Sequence, residues 1–90
     1  MNKAGLIEEV ANKVGLTKKE VGNIIDTTVE TIKNRLSKEE KVTLVGFGTF
    51  QVFQRKARRG VNPRTREAIW IPAKKVPKFR AGKGLREKVK

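Results

Sequence analysis

The 90-residue sequence contains no cysteine, no histidine and no tyrosine. Without cysteine there are no disulfides and no thiolate chemistry. With histidine and tyrosine also missing, most usual nucleophiles and general acid–base groups are gone, and a metal site lacks its ordinary ligands. The acidic pairs Glu8-Glu9 and Glu39-Glu40 do not make up the loss. Adjacent residues on a helix diverge by about 100°, so these carboxylates read as solvated faces. The expectation is a non-enzyme with no metal, no cofactor and no small-molecule substrate. Long apolar runs are missing too. No stretch approaches membrane-spanning length and no signal-peptide pattern opens the chain. A cytoplasmic protein with no membrane partner is expected.

What the chain does have is positive charge, and it is segregated. The formal net charge is +13. Residues 1–40 carry seven basic and seven acidic groups, a net of zero. Residues 41–90 carry fifteen basic and two acidic groups, a net of +13. Solubility does not require such segregation, and the self-repulsion costs stability. A polyanionic partner is the expected reason.

Ninety residues make one small domain. Its first part is helical by period. In "NKAGLIEEVANKVG", Leu6, Ile7, Val10, Ala11 and Val14 recur at helical spacing, with Asn2 placed as N-cap and Gly15 as stop. Thr17 and Glu20 then have capping-box spacing. They start a second helix of about 20 residues, roughly 30 Å long, continued by Val21, Ile24, Ile25, Val29, Ile32 and Leu36. Gly22 weakens that helix slightly and permits close packing. A helix-turn-helix reader fits poorly, because the second helix carries Glu20, Asp26 and Glu30 beside a broad apolar stripe.

From Lys41 the period changes. "KVTLVGFGTFQVFQ" is rich in β-branched and aromatic residues, and Gly46 and Gly48 break it into two strands. A dinucleotide loop would need a third glycine where Gln51 stands, and a helix rather than a strand after it. The glycines therefore read as a strand-to-strand bend anchored by Phe47. "EAIWIP" reads as a further strand ended by Pro72, and "VPKFRAGKGLREKVK" as a short strand-like piece with Phe79 and a basic terminal helix.

Between the strands lies "RKARRGVNPRTRE", with six cations against Glu67 and an uncharged "GVNP" in the middle. Gly60, Asn62 and Pro63 are turn residues. Residues 51–59 and 64–71 are expected to form a hairpin with "GVNP" at its tip. From Gln54 to Ala68 the apolar side chains besides proline are Ala57, Val61 and Ala68, so the hairpin should project as a mobile arm. Alternation puts Arg55, Lys56, Arg58 and Arg59 on both faces of the ribbon, which suits a groove with phosphates on either side. Pro63, with Val61 nearby, is open to two readings: an apolar wedge for a base stack, or an ordinary turn proline. Trp70 is expected to pair with Phe53 across the hairpin and stiffen its base.

Without the arm the body is near the lower limit for a self-sufficient core. Sharing a core across a two-fold axis solves this. The expectation is an intertwined homodimer whose core draws on Ile25, Val29, Ile32 and Leu36 of the second helix. Leu44, Phe47, Phe50 and Phe79 of the sheet complete it.

The stretches "VGFGTFQV", "RKARRGVNPRTREAIWIP" and "KVPKFRAGKGLREKVK", with the opening "MNKAGLIEEVA", closely resemble the HU/IHF family of bacterial DNA-bending proteins, HU most of all. The resemblance covers the whole chain. It implies an α+β fold: an intertwined dimer with a helical base, a three-stranded antiparallel sheet and extended β-ribbon arms. It divides the single domain into a helical dimerisation region at 1–40, sheet at 41–53 and 69–80, an arm at 54–68 and a C-terminal helix at 81–90. HU- and IHF-type proteins are established examples of minor-groove binding with an intercalating wedge, so that mechanism comes with the resemblance. Pro63 matches the wedge, and Arg55 and Arg58 match arm arginines. Lys3, Lys83 and Arg86 match body positions that hold the flanking backbone. Phe53, Val61 and Ala81 depart from the pattern. The first two remove possible phosphate contacts, which Arg59, Arg64 and Arg66 offset.

The candidate DNA contacts are thus Lys3, Arg55, Arg58, Arg59, Asn62, Pro63, Arg64 and Arg66, joined by Lys74, Lys75, Lys78, Arg80, Lys83 and Arg86. The expected function is architectural: nucleoid-associated, low-specificity binding, bending and compaction of double-stranded DNA through the minor groove. Bent, nicked or gapped duplexes should be preferred, because they have less stacking to lose. Two alternatives stand beside it. A site-specific bender of the IHF type is separated by binding-site selection. An RNA-binding or ribosome-associated protein is separated by competition between duplex DNA and structured RNA.

Overall fold

The structure is a computed structural model that describes residues 1–90. The chain divides into two compact units, residues 1–34 and 35–90.

In the first unit α1 spans Lys3–Val14 and α2 begins at Lys18 and runs to Ser37. The Asn2 side chain accepts a hydrogen bond from the Gly5 N–H at 2.9 Å, the expected cap. Gly15 ends α1 with φ 73°, the left-handed conformation that favours glycine. Thr17 and Glu20 form the expected capping box. The Glu20 N–H donates to Thr17 Oγ1 and the Thr17 N–H donates to Glu20 Oε1, each at 3.1 Å. Ala11 and Val21 are buried between the helices, and ion pairs Lys3–Asp26 and Glu8–Lys18 tie α1 to α2. Ile7 lies over Gly22, but a Cβ there would sit 3.7 Å from its Cδ1, so this approach does not require glycine.

The second unit opens with the last turn of α2. The Glu40 N–H donates to the Arg35 carbonyl and the Glu39 N–H to the Leu36 carbonyl, a Schellman stop. Glu39 occupies the left-handed position with φ 61° where glycine is usual. Ion pairs Glu39–Lys75 and Arg35–Glu40, both 3.1 Å, accompany it.

Strands β1 (Val42–Leu44), β2 (Gly48–Arg55) and β5 (Lys74–Ala81) form an antiparallel sheet in the order β1-β2-β5. The β1–β2 turn is closed by the Phe47 N–H on the Leu44 carbonyl, with Gly46 at φ 83° as a type II turn needs. Gly48 is buried against β5, where a Cβ would come within 2.7 Å of the Arg80 carbonyl oxygen. Helix α3 (Lys83–Lys88) follows β5, and the Gly82 N–H donates to the Phe47 carbonyl at 2.8 Å.

The expected hairpin of 51–59 with 64–71 is replaced by two separate ladders. β2 pairs with β5 from Gly48↔Ala81 to Arg55↔Lys74. β3 (Arg58–Val61) pairs with β4 (Ala68–Ile71) in a two-stranded sheet of its own. Lys56-Ala57 on one side and Pro72-Ala73 on the other interrupt the ribbon. Pro72 has no N–H to continue a ladder. Of the stretch 69–80 expected in the main sheet, residues 69–71 therefore belong to β4. The β2–β5 register sets Phe50 opposite Phe79, and pairing β2 with "AIWI" would forgo that contact.

The tip also moves. Gly60 and Val61 are strand residues opposite Ile69 and Ala68, and the turn is Asn62 to Glu67. Gly60 is small because Ile71 lies across it: a Cβ would sit 2.7 Å from Ile71 Cδ1. Phe53 faces Val76 rather than Trp70, with Lys78 Nζ 4.9 Å from its ring centroid. Trp70 faces Arg59.

Candidate nucleic-acid interface

The β2–β5 sheet has two unlike faces. Residues directly opposite in an antiparallel ladder share a face, and neighbours along a strand alternate. One face carries Phe50, Val52, Pro77 and Phe79. Phe79 sits 4.8 Å from Phe50 and 5.3 Å from Phe47, centroid to centroid. The opposite face carries Arg55, Lys74, Lys78 and Arg80 around Phe53 and Val76. The register thus puts Phe50 and Phe79 on one face and most of the sheet's cations on the other.

That sorting splits the expected β5 contacts. Lys74, Lys78 and Arg80 share the basic face. Lys75 lies on the aromatic face and is paired with Glu39.

At the ribbon's interruption Arg55, Lys56, Arg58 and Lys74 line a cleft of about 580 Å³ together with Ile71, Pro72 and Ala73. No carboxylate pairs with any of these four cations. An uncompensated cationic cleft is suited to a phosphate. Lys56 was expected only as part of a ribbon basic on both faces, not at a cleft. The signal was the break itself, which strand alternation alone does not reveal.

The tip is built by its own sequence. Asn62 Oδ1 accepts from the Arg64 N–H at 2.9 Å, Pro63 supplies the fixed φ of a first turn, and the Arg66 N–H donates to the Asn62 carbonyl at 2.7 Å. The Asn62 N–H donates to the Glu67 carbonyl at 2.9 Å and closes the loop. Arg66 takes φ 59°, the left-handed exit such a turn requires. The Asn62 side chain is therefore engaged in shaping the loop, while Pro63, Arg64 and Arg66 stand exposed on it.

Lys83 and Arg86, three residues apart on α3, line a groove of about 350 Å³ with Glu87 and Lys90. Lys3 is engaged with Asp26 in its own unit. No cluster of potential metal ligands is present, and no helix is long and apolar enough to cross a membrane.

The apolar faces are left open. In the first unit Val29 is 47% exposed, and in the second Phe47 and Phe79 are 47% and 42% exposed. The buried apolar core of the single chain consists of Ala11 and Val21.

Comparison with known proteins agrees with this arrangement. The model of the family described as Bacterial DNA-binding protein matches residues 1–90. The chain is 57% identical to the DNA-binding protein HU of Thermotoga maritima over 90 residues, all of both chains. It is 54% identical to the HU of Staphylococcus aureus, again over the full length of both. Among solved structures, the Anabaena HU–DNA cocrystal structure superposes with a TM-score of 0.89 at 50% identity, covering 99% of this chain and 97% of that one. The helices, the three-stranded sheet, the basic ribbon and these whole-length matches place the chain in the bacterial DNA-binding protein family that includes HU.

Proposed function

We propose that this protein is an architectural, non-catalytic DNA-binding protein of the nucleoid, which binds double-stranded DNA with low sequence specificity and bends it. The observation that carries the reading is the β3–β4 ribbon: arginines on both faces, an unpaired cationic cleft at its base, and Pro63 exposed on a self-closed tip. A relative in this fold was crystallised with DNA, which supports the same partner here.

The acting unit is a homodimer. The exposed apolar stripe of α2, including Val29, and the aromatic face of the sheet, with Phe47 and Phe79, are covered by the same surfaces of a second copy. Ile25, Ile32, Leu36, Leu44 and Phe50 belong to that shared core. Two copies carry two ribbons. Arg55, Lys56, Arg58 and Lys74 neutralise phosphates at the base of each ribbon, and Arg59, Arg64 and Arg66 do so along it and at its tip. Lys78, Arg80, Lys83, Arg86 and Lys3 hold flanking backbone, Lys3 after leaving Asp26. Pro63 enters the minor groove at a base step, with Val61 beside it. Unstacking a step costs a few kcal/mol, least where the stack is already broken. Bent, nicked and gapped duplexes are therefore the preferred ligands.

The test compares affinity for intact, nicked and gapped duplexes of one sequence at two salt concentrations. Tighter binding to the nicked and gapped forms, with a steep salt dependence for all three, is expected. Equal affinity for all three would remove the wedge and leave a merely electrostatic binder.

A further inference from the structure

Trp70 is the only tryptophan in the chain, and it is 66% exposed within β4. It lies directly opposite Arg59 in the β3–β4 ladder. By alternation, Arg59, Val61, Ala68 and Trp70 share one side of the ribbon, and Arg58, Gly60, Ile69 and Ile71 share the other. The two sides are not equivalent. On the Arg58 side, Ile71 folds over Gly60 and both are half-buried. On the Arg59 side, Val61 is 64% exposed beside the bare indole. Trp70 makes no ring contact within the chain, where the other aromatics do.

A large apolar ring left in water forgoes the free energy of its burial. Here it sits beside exposed Val61 on a ribbon that also carries Arg58 and Arg59. Such a surface complements one that is apolar along its floor and anionic along its rim. The deoxyribose wall of a DNA groove, edged by phosphates, has that chemistry. We propose that Trp70 is a DNA-contact residue: its indole lies against the sugar wall of the groove while Arg59, opposite it, reaches the adjoining phosphate. The Arg59–Val61–Trp70 side of the ribbon is then the side that meets the sugar wall, while Arg58 on the other side remains free for phosphate. This rests on the DNA-binding reading above and adds which face of the arm is used and a contact that is not a charge.

The lone indole is its own reporter. A short nicked duplex is titrated into the parent protein while binding is followed independently by the anisotropy of a dye on the DNA. Saturation should move the Trp70 emission to shorter wavelength and shield it from acrylamide by about twofold or more. Trp70→Ala should weaken binding about fivefold or more and leave the salt slope unchanged, because no charge is lost. Trp70→Phe should recover part of that loss. Anisotropy that saturates while Trp70 emission and quenching stay as in the free protein overturns the inference and leaves the DNA-binding reading intact. So does a Trp70→Ala protein that binds as the parent does. No anisotropy change at all would overturn both.

Discussion

Phe50 and Phe79 stand directly opposite each other across the β2–β5 ladder, with ring centroids 4.8 Å apart and planes tilted by 49°. Phe79 is nonetheless 42% exposed, so the closest aromatic pair of the sheet is also left partly uncovered. In the proposed homodimer the missing cover is a second copy. Unfolding should therefore depend on protein concentration, with a higher midpoint at higher concentration. Ile32→Asp or Phe47→Asp should abolish the cooperative transition, because a charge buried in a shared core costs several kcal/mol. Thermal melts at two concentrations and sedimentation check this. A well-folded monomer at micromolar concentration would refute the shared core.

Pro63→Ala separates shape from charge. The tip keeps its closing hydrogen bonds, since neither Asn62 Oδ1 to the Arg64 N–H nor the Asn62 N–H to Glu67 involves the proline ring. No cation is lost, so the salt dependence should persist. Bending, read as energy transfer between the ends of a duplex, should fall, and so should the preference for nicked DNA. A variant that bends DNA as the parent does would make Pro63 only the first residue of a turn.

Arg55→Ala, Arg58→Ala and Lys83→Ala should act through phosphates. Each should weaken binding nearly uniformly across sequences and flatten the salt slope by about 0.9 per contact removed. Lys75→Ala is the internal control. Its ammonium is on the aromatic face beside Glu39, so its loss should leave the slope unchanged. A slope change for Lys75 equal to that for Arg55 would contradict the two-faced sheet.

The capping box makes a prediction about pH. The Thr17 N–H, and next the Thr17 side chain, hold the Glu20 carboxyl below its ordinary value of 4.5. A carboxylate with a lowered folded pKa contributes stability that is present above the unfolded value. That contribution is lost as pH falls through the folded value, here below 4.5. Glu20→Gln should remove this part of the acid sensitivity. Thr17→Ala should cost roughly 1 kcal/mol at neutral pH by deleting the cap. Melting curves from neutral pH to below 4.5 for parent and variants measure both effects.

Local rules determined the parts of this protein that depend on near neighbours. Asn2, Gly15, Thr17 and Glu20 bound the helices where they do because caps satisfy backbone groups within four residues. The charge asymmetry and the absence of cysteine and histidine pointed to a polyanion and away from catalysis, since composition needs no coordinates. The family pattern around "GFGTF" and "NP" named the fold. Which strands pair was a different kind of question. "AIWI" and "KVPKFR" are both plausible partners for β2 by propensity, and the choice fell to Phe79 reaching Phe50, a contact across 29 positions. That pairing decided which cations share a face: it kept Lys74 and Lys78 together, sent Lys75 to Glu39, and freed Trp70 from Phe53 to stand opposite Arg59. The side-chain period of a strand is two, so the choice of register in each ladder assigns every residue of that ladder to a face at once. Only the tertiary structure makes that choice, because it turns on packing between residues far apart in the chain.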